Sequence, residues 1–252
     1  SSRKHDHARH RNGPGCRNDR RKASSRLCRC RTRHAARLIW LVFALLVAPS
    51  VSLSENLRIA TFNTELGRKG PGLFLRDVLR GEDAQITAVA RVIAEVAPDI
   101  IALQGIDYDL TELGLNAFAD VIAQAGQSYP HRFSLLPNRG LRTGLDMNGD
   151  GRLGGADDAQ GYGEFSGAGG MAILSKYPIL TKEVQDFSAL LWRDLPGALL
   201  PQVDGKPFPS ATVQALQRLS TSGHWVVPIA LSDGTILSIF WRTAFMLTFC
   251  NC

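Results

Sequence analysis

Ala97-Pro98-Asp99-Ile100-Ile101-Ala102-Leu103-Gln104 is the stretch that decides the fold. Pro98 has no amide hydrogen to give and ends any helix that reaches it. Asp99 to Gln104 is a compact apolar run of strand length, of the kind that is buried on both faces. Immediately upstream, Ile86, Val89, Ala90, Ile93 and Val96 recur at three- and four-residue spacing. That spacing predicts a helix from a cap at Asp83 through Val96. Further upstream, Leu57 to Asn63 alternates apolar with polar or small residues and reads as a strand. Gly67, Gly70, Pro71 and Gly72 mark a loop after it. Downstream, a second helical stretch covers about Leu115 to Ala125, and Gly170 to Leu174 reads as a strand ended by Tyr177-Pro178. Trp225 to Leu231 and Thr235 to Phe240 flank Ser232-Asp233-Gly234, a good hairpin turn. Strand, helix, buried strand and hairpins together give an α/β fold with a mixed sheet sandwiched by helices.

The charge is not spread evenly. The 252 residues carry a formal charge of +6, which by itself suggests a nucleic-acid binder. Residues 1–37 hold 13 of the 29 Lys and Arg but only two of the 23 acidic residues. The other 215 residues therefore hold 16 basic and 21 acidic residues, so the body is mildly acidic. An acidic body argues against a generic phosphate-backbone binder. No cysteine lies between residues 31 and 249, which excludes a disulfide framework or thiolate metal site in the body.

Both ends differ from the middle. Residues 1–37 read as a basic, disordered leader, too poor in apolar residues to fold alone. Leu38 to Ala48 is an uncharged apolar run preceded by arginines and followed by Ser50 and Ser52. It is too short for an easy bilayer span and has the layout of a secretory signal over 38–54, so an exported protein, periplasmic or extracellular, is expected with no stable membrane span. Residues 241–252 form an anomalous apolar tail with no turn signal, as a truncation or frameshift would produce.

Three segments resemble the endonuclease/exonuclease/phosphatase family, the deoxyribonuclease-I-like metal-dependent phosphodiesterases. Leu57 to Asn63 looks like the family's opening strand ending in Asn. Ala97 to Gln104 matches its "PDI–LQ" strand, and Gly169-Gly170-Met171-Ala172-Ile173-Leu174-Ser175-Lys176-Tyr177-Pro178-Ile179 matches its "G-A-ILS" strand and turn. The resemblance covers residues 55–240 as a partial domain. It implies part of a four-layer α/β sandwich, two mixed β-sheets flanked by helices, with the C-terminal part missing. It also implies hydrolysis of a phosphoester, possibly nucleic acid, with Mg2+ or Mn2+.

Such hydrolysis needs charge neutralisation at the phosphoryl oxygens and an activated water. Asn63 stands where the family places an Asn that donates to a phosphate oxygen and lends its carbonyl to the metal. The family's metal-binding Glu follows "LQ"; here that residue is Gly105. Asp107 lies two residues on and, on a continued strand, points to the same face roughly 6–7 Å further along, with Asp109 beyond it. Asn63 and Asp107 are therefore the expected catalytic pair, and Asp109 a further candidate metal ligand. The family's later His and Asp-x-Asn have no counterpart. His224 reads as structural, and His131, after Tyr129-Pro130, reads as a loop residue near the sheet that could equally be structural.

The sharpest local motif is Asp146-Met147-Asn148-Gly149-Asp150-Gly151-Arg152-Leu153-Gly154-Gly155-Ala156-Asp157. It fits a calcium loop with ligands Asp146, Asn148, Asp150, the Arg152 carbonyl and Asp157, and with Gly151 at the sharp turn. Two readings follow: an exported metal-dependent phosphoesterase, weakly active or inactive as written, or an exported Ca2+-binding protein with a vestigial hydrolase half.

Overall fold

A computed structural model describes residues 56–242. The basic leader, the signal-like segment and all but the first two residues of the anomalous tail lie outside the described residues. Strand β1 (Ile59–Asn63) is followed by helices α1 (Leu73–Arg80) and α2 (Ala84–Val96), strand β2 (Ile100–Ile106) and helix α3 (Leu113–Gln124). Strands β3 (His131–Ser134) and β4 (Gly170–Ser175) come next, then the short β5 (Gln185–Asp186), β6 (Gln202–Val203) and β7 (Lys206–Pro207). Helix α4 (Ala211–Leu216) precedes the hairpin of β8 (His224–Ala230) and β9 (Ile236–Arg242).

The first sheet has the order β1-β2-β4-β3, with β1 and β2 parallel and the other pairs antiparallel. The second, β5-β8-β9, is antiparallel throughout. The expected doubly buried strand sits at the centre of the first sheet. Ile101 and Leu103 of β2 pack with Ile86, Ile93 and Phe118 of the helices, while Ile100 and Ala102 pack with Trp225, Val227 and Ile229 of β8. Helices, first sheet and second sheet thus form three successive layers, and the fold is a mixed α/β sandwich. The far face of the second sheet carries Ile236 and Phe240, both exposed.

Local chemistry explains the boundaries. The Asp83 carboxylate accepts from the Ile86 amide at 2.9 Å and starts α2. Ala97, in the left-handed region at φ 47°, closes it by donating to the Ile93 carbonyl, and Pro98 prevents continuation. The β8–β9 turn closes where expected, with Leu231 donating to the Thr235 carbonyl at 2.8 Å. Helices α1 and α4 and strands β3, β5, β6 and β7 carry no comparable signal in the sequence. Helix α1 follows the glycine-rich loop directly and buries only Phe74 and Val78, too few positions to show a period. Strand β3 has a single buried residue, Phe133, and is recruited by pairing with β4.

Candidate functional site

β1 and β2 run parallel with Asn63 in register with Gln104, so their C-terminal ends reach the same edge of the sheet. A cavity of about 420 Å³ opens there, lined among others by Asn63, Glu65, Asp107, Arg139, Tyr162 and Gly169. Asn63 is exposed to it as the last residue of β1. Asp107 also reaches it, by a different route from the one its spacing implied. β2 stops at Ile106, and its pairing with β4 shifts between Gln104 and Ile106, where Gly105 takes φ +69°. A bulge, not the pleat, aims Asp107 into the cavity.

Asp107 is 7% exposed. One of its oxygens accepts from the Gly169 amide at 2.7 Å and the other from the Arg68 amide at 2.8 Å. The carboxylate therefore ties the β1–α1 loop to the entry of β4. Burial pushes its pKa above the usual 3.8, and the two amide bonds and the charges of Arg68 and Arg139 offset this only in part. A raised pKa means that the folded chain keeps a proton which the unfolded chain has lost. Its effect on stability therefore declines as pH rises from about 3.8 through the folded value, and is flat above it. Urea midpoints of wild type measured against Asp107→Asn should show this decline, and a pH-independent difference would refute it. Asp107→Ala, which strands both amides, is expected to cost about 2–4 kcal/mol.

Asp109 does not belong to this cavity. The strand has ended, and the Asp109 carboxylate accepts from the amides of Thr111 (3.2 Å), Leu113 (3.0 Å) and Gly114 (2.8 Å) and from the Thr111 hydroxyl (2.9 Å). It caps the start of α3, and although burial opposes ionisation, these bonds hold its pKa below the usual value. These bonds give Asp109 a capping role at the helix start.

Glu65, two residues after Asn63, lines the cavity and was missed in the sequence, where it looks like an ordinary loop residue. It holds a left-handed φ of +52°, uncommon for a residue with a β-carbon. Gly105 lies against it: a Cβ there would sit 2.8 Å from Asn63 Oδ1 and 3.0 Å from the Glu65 nitrogen. The backbone of Glu65 thus occupies the space into which a side chain at 105 would have to start.

Two guanidinium groups come close. That of Arg68 is committed elsewhere, to Asp77 at 3.0 Å and Asp83 at 2.8 Å. That of Arg139 donates to the carbonyls of Tyr162 (3.1 Å) and Gly169 (3.3 Å). Neither described histidine lines the cavity. His131 lies in β3, not in a loop, and His224 begins β8 with its ring against Phe187 and Phe240 at 5.5 and 5.2 Å. A larger hollow of about 520 Å³ lies over α1, α2 and α3 and contains none of the strand-end residues.

The 146–157 loop is organised from its first residue. One Asp146 oxygen accepts from the amides of Gly149 (2.7 Å) and Asp150 (3.1 Å), the other from Gly151 (2.8 Å). Asn148 donates its amide to Asp157, and Asp150 accepts from the Arg152 amide at 2.8 Å. The neighbouring Asp158, unremarked in the sequence, closes the loop by accepting from Met147 (2.9 Å) and Gly155 (3.0 Å). Among the described residues no group of three or more His, Cys, Asp or Glu side chains is gathered as a metal centre. The oxygen donors at the strand ends, an amide carbonyl and two carboxylates, are nevertheless of the type a hard divalent cation takes. Among the described residues no helix is long and apolar enough to cross a membrane.

The sequence profile of the endonuclease/exonuclease/phosphatase family matches residues 60–242. Among solved structures, the chain is similar to the endonuclease/exonuclease/phosphatase from Beutenbergia cavernae DSM 12333, with 14% identity and a TM-score of 0.38 over 74% of this chain and 37% of that one. It is also similar to an endonuclease/exonuclease/phosphatase family protein from Leptotrichia buccalis C-1013-b, with 13% identity and a TM-score of 0.38 over 76% of this chain and 55% of that one. The chain thus spans little more than a third of the first protein and about half of the second. No curated protein matches it.

Proposed function

The chain belongs to the endonuclease/exonuclease/phosphatase family, and from that premise we propose that it is a divalent-metal-dependent phosphoesterase acting through the cavity at the ends of β1 and β2. The observation that carries this reading is the meeting of Asn63 and Asp107 in one cavity at the edge where the two parallel strands end. Asn63 offers an amide hydrogen to a phosphate oxygen and its carbonyl to the ion. Asp107 offers the oxygen lone pairs its two amide bonds leave free, and Glu65 an exposed carboxylate in place of the one absent at Gly105. Mg2+ or Mn2+ suits such a set, because it keeps several waters and takes one or two carboxylates together with substrate phosphate. When bound, the ion supplies charge neutralisation at the phosphoryl group and an acidified water. The substrate is a phosphoester, possibly a nucleic acid, and the 38–54 segment supports export to the periplasm or beyond. Mn2+ binding to the full chain, followed by electron paramagnetic resonance, tests the site. Asn63→Ala is expected to weaken binding at least about tenfold, and an unchanged affinity would refute the reading.

The second reading, calcium at 146–157, is favoured by Asp146, whose carboxylate gathers three successive loop amides while Gly149 and Gly151 both take φ +80°. Calcium is expected to raise the melting temperature by binding the native state in preference to the unfolded one. Asp146→Ala/Asp150→Ala should lose that rise. Equal responses of wild type and variant would remove the loop as a site.

A further inference from the structure

The cavity holds a guanidinium with no directly paired carboxylate among the described residues. Arg68 lines it too, but its charge is balanced by Asp77 and Asp83. Arg139 makes no ion pair within 4.0 Å among the described residues, and it donates to two neutral carbonyls. A guanidinium has five donors, and these two bonds leave others available on the side of the cavity.

The backbone that carries Arg139 is fixed on both sides. Asn138, 1% exposed, donates its side-chain amide to the carbonyls of Ser188 (2.8 Å) and Ser220 (2.6 Å) and accepts from Arg218 at 2.6 Å. Gly140 donates to the Gly161 carbonyl at 2.9 Å, and a Cβ on it would fall 1.7 Å from the Phe165 carbonyl oxygen. Gly169 completes the seat. Its amide holds Asp107 and its carbonyl holds Arg139, and a Cβ on it would lie 2.7 Å from Arg139 Nη1. One glycine therefore sets the acidic and the basic group of the cavity relative to each other. A charge held this way before a ligand arrives needs little reorganisation to meet one.

We propose that Arg139 anchors the phosphoryl group of the substrate, its guanidinium hydrogen bonding non-bridging oxygens of a phosphoester that lies over Asn63 and Asp107. The assignment rests on the phosphoesterase reading and adds to it the group that grips the anion. A planar guanidinium matches two phosphate oxygens at once, which an ammonium does not. Lys69, an exposed residue lining the same cavity, adds a second positive charge.

Inorganic phosphate binding to the full chain, measured by titration calorimetry, tests the proposal. Arg139→Gln is expected to raise the dissociation constant about tenfold or more, as the loss of charge-assisted hydrogen bonds implies. Arg139→Lys keeps the charge and loses the paired geometry, so an intermediate rise of about threefold is expected. Arg91→Gln removes the same charge from the exposed surface of α2 and should leave binding unchanged. If Arg139→Gln does not fold, judged by its melting curve, Arg139→Lys carries the test. Phosphate bound equally by wild type and either folded Arg139 variant, or not bound by wild type at all, overturns the assignment. The Mn2+ titration separates this from the parent reading. Lost Mn2+ affinity in Asn63→Ala with phosphate binding indifferent to Arg139 defeats the anchor alone. Phosphate binding that depends on Arg139 with Mn2+ affinity indifferent to Asn63 supports the anchor and defeats the metal reading.

Discussion

Gly105→Glu, which restores the carboxylate the family carries after "LQ", is expected to destabilise the chain and to leave its metal site no better. In a regular strand such a side chain would project directly into the site. Here Gly105 holds φ +69°, a region that costs a residue with a β-carbon about 1–2 kcal/mol. Its Cβ would also press on the Glu65 nitrogen at 3.0 Å and Asn63 Oδ1 at 2.8 Å. The Asn63 side chain can rotate, but the Glu65 backbone is bonded into the loop, and overpacking of this kind adds about 1–3 kcal/mol. The sum, about 2–5 kcal/mol, corresponds to a fall in melting temperature of roughly 5–15 °C for a domain of this size. Displacing Asn63 also moves the residue on which the site depends. Gly105→Ala should show most of the stability loss, because the strain begins at Cβ. A Gly105→Glu protein that melts like wild type and gains magnesium-dependent turnover would show that this bulge yields easily and that the lost Glu is a simple gap.

The largest effect expected on activity concerns the chain as it stands. Wild type should hydrolyse a nitrophenyl phosphodiester or plasmid DNA only slowly, even saturated with Mg2+ or Mn2+. Among the described residues the cavity contains groups that bind and orient, but no histidine. Lack of one positioned acid–base group commonly lowers a rate about 10²–10⁴-fold. Groups that act as a unit are not additive, so little beyond binding remains once several are missing. Asp107 is not an easy substitute. Its two oxygens are held by the Gly169 and Arg68 amides, and an oxygen that took up a proton would have to give up part of that bonding. Asn63→Ala should remove whatever metal-dependent rate wild type shows. Turnover in the ordinary enzymatic range of about 1–10³ s⁻¹, abolished by Asn63→Ala, would overturn the expectation of weak activity.

The central layer of this protein is legible in local sequence signals. A run of apolar residues bounded by Pro98 leaves no choice but a buried strand, and the α2 stripe ahead of it leaves no choice but a helix on one face. These are local signals of burial and period, and β1, β2, β4, α2, α3 and the β8–β9 hairpin all carry them. Asn63 was legible for the same reason, as the residue that ends a readable strand. The rest of the site depends on contacts between segments far apart in the chain. The pleat rule places Asp107 and Asp109 together, yet one bulge at Gly105 sends Asp107 into the cavity and leaves Asp109 to cap α3. A bulge depends on what the partner strand and the neighbouring loop leave room for, and no spacing within one segment records that. Glu65 and Arg139 carry no sequence signal for a similar reason. Arg139 lies 76 positions beyond Asn63 in the chain and joins it only because the carbonyls of Tyr162 and Gly169 hold its guanidinium at the cavity. Periodicity reports which face a residue shows to the core; which distant loops meet above that core is fixed by packing and by hydrogen bonds that form only once the sheets are in place.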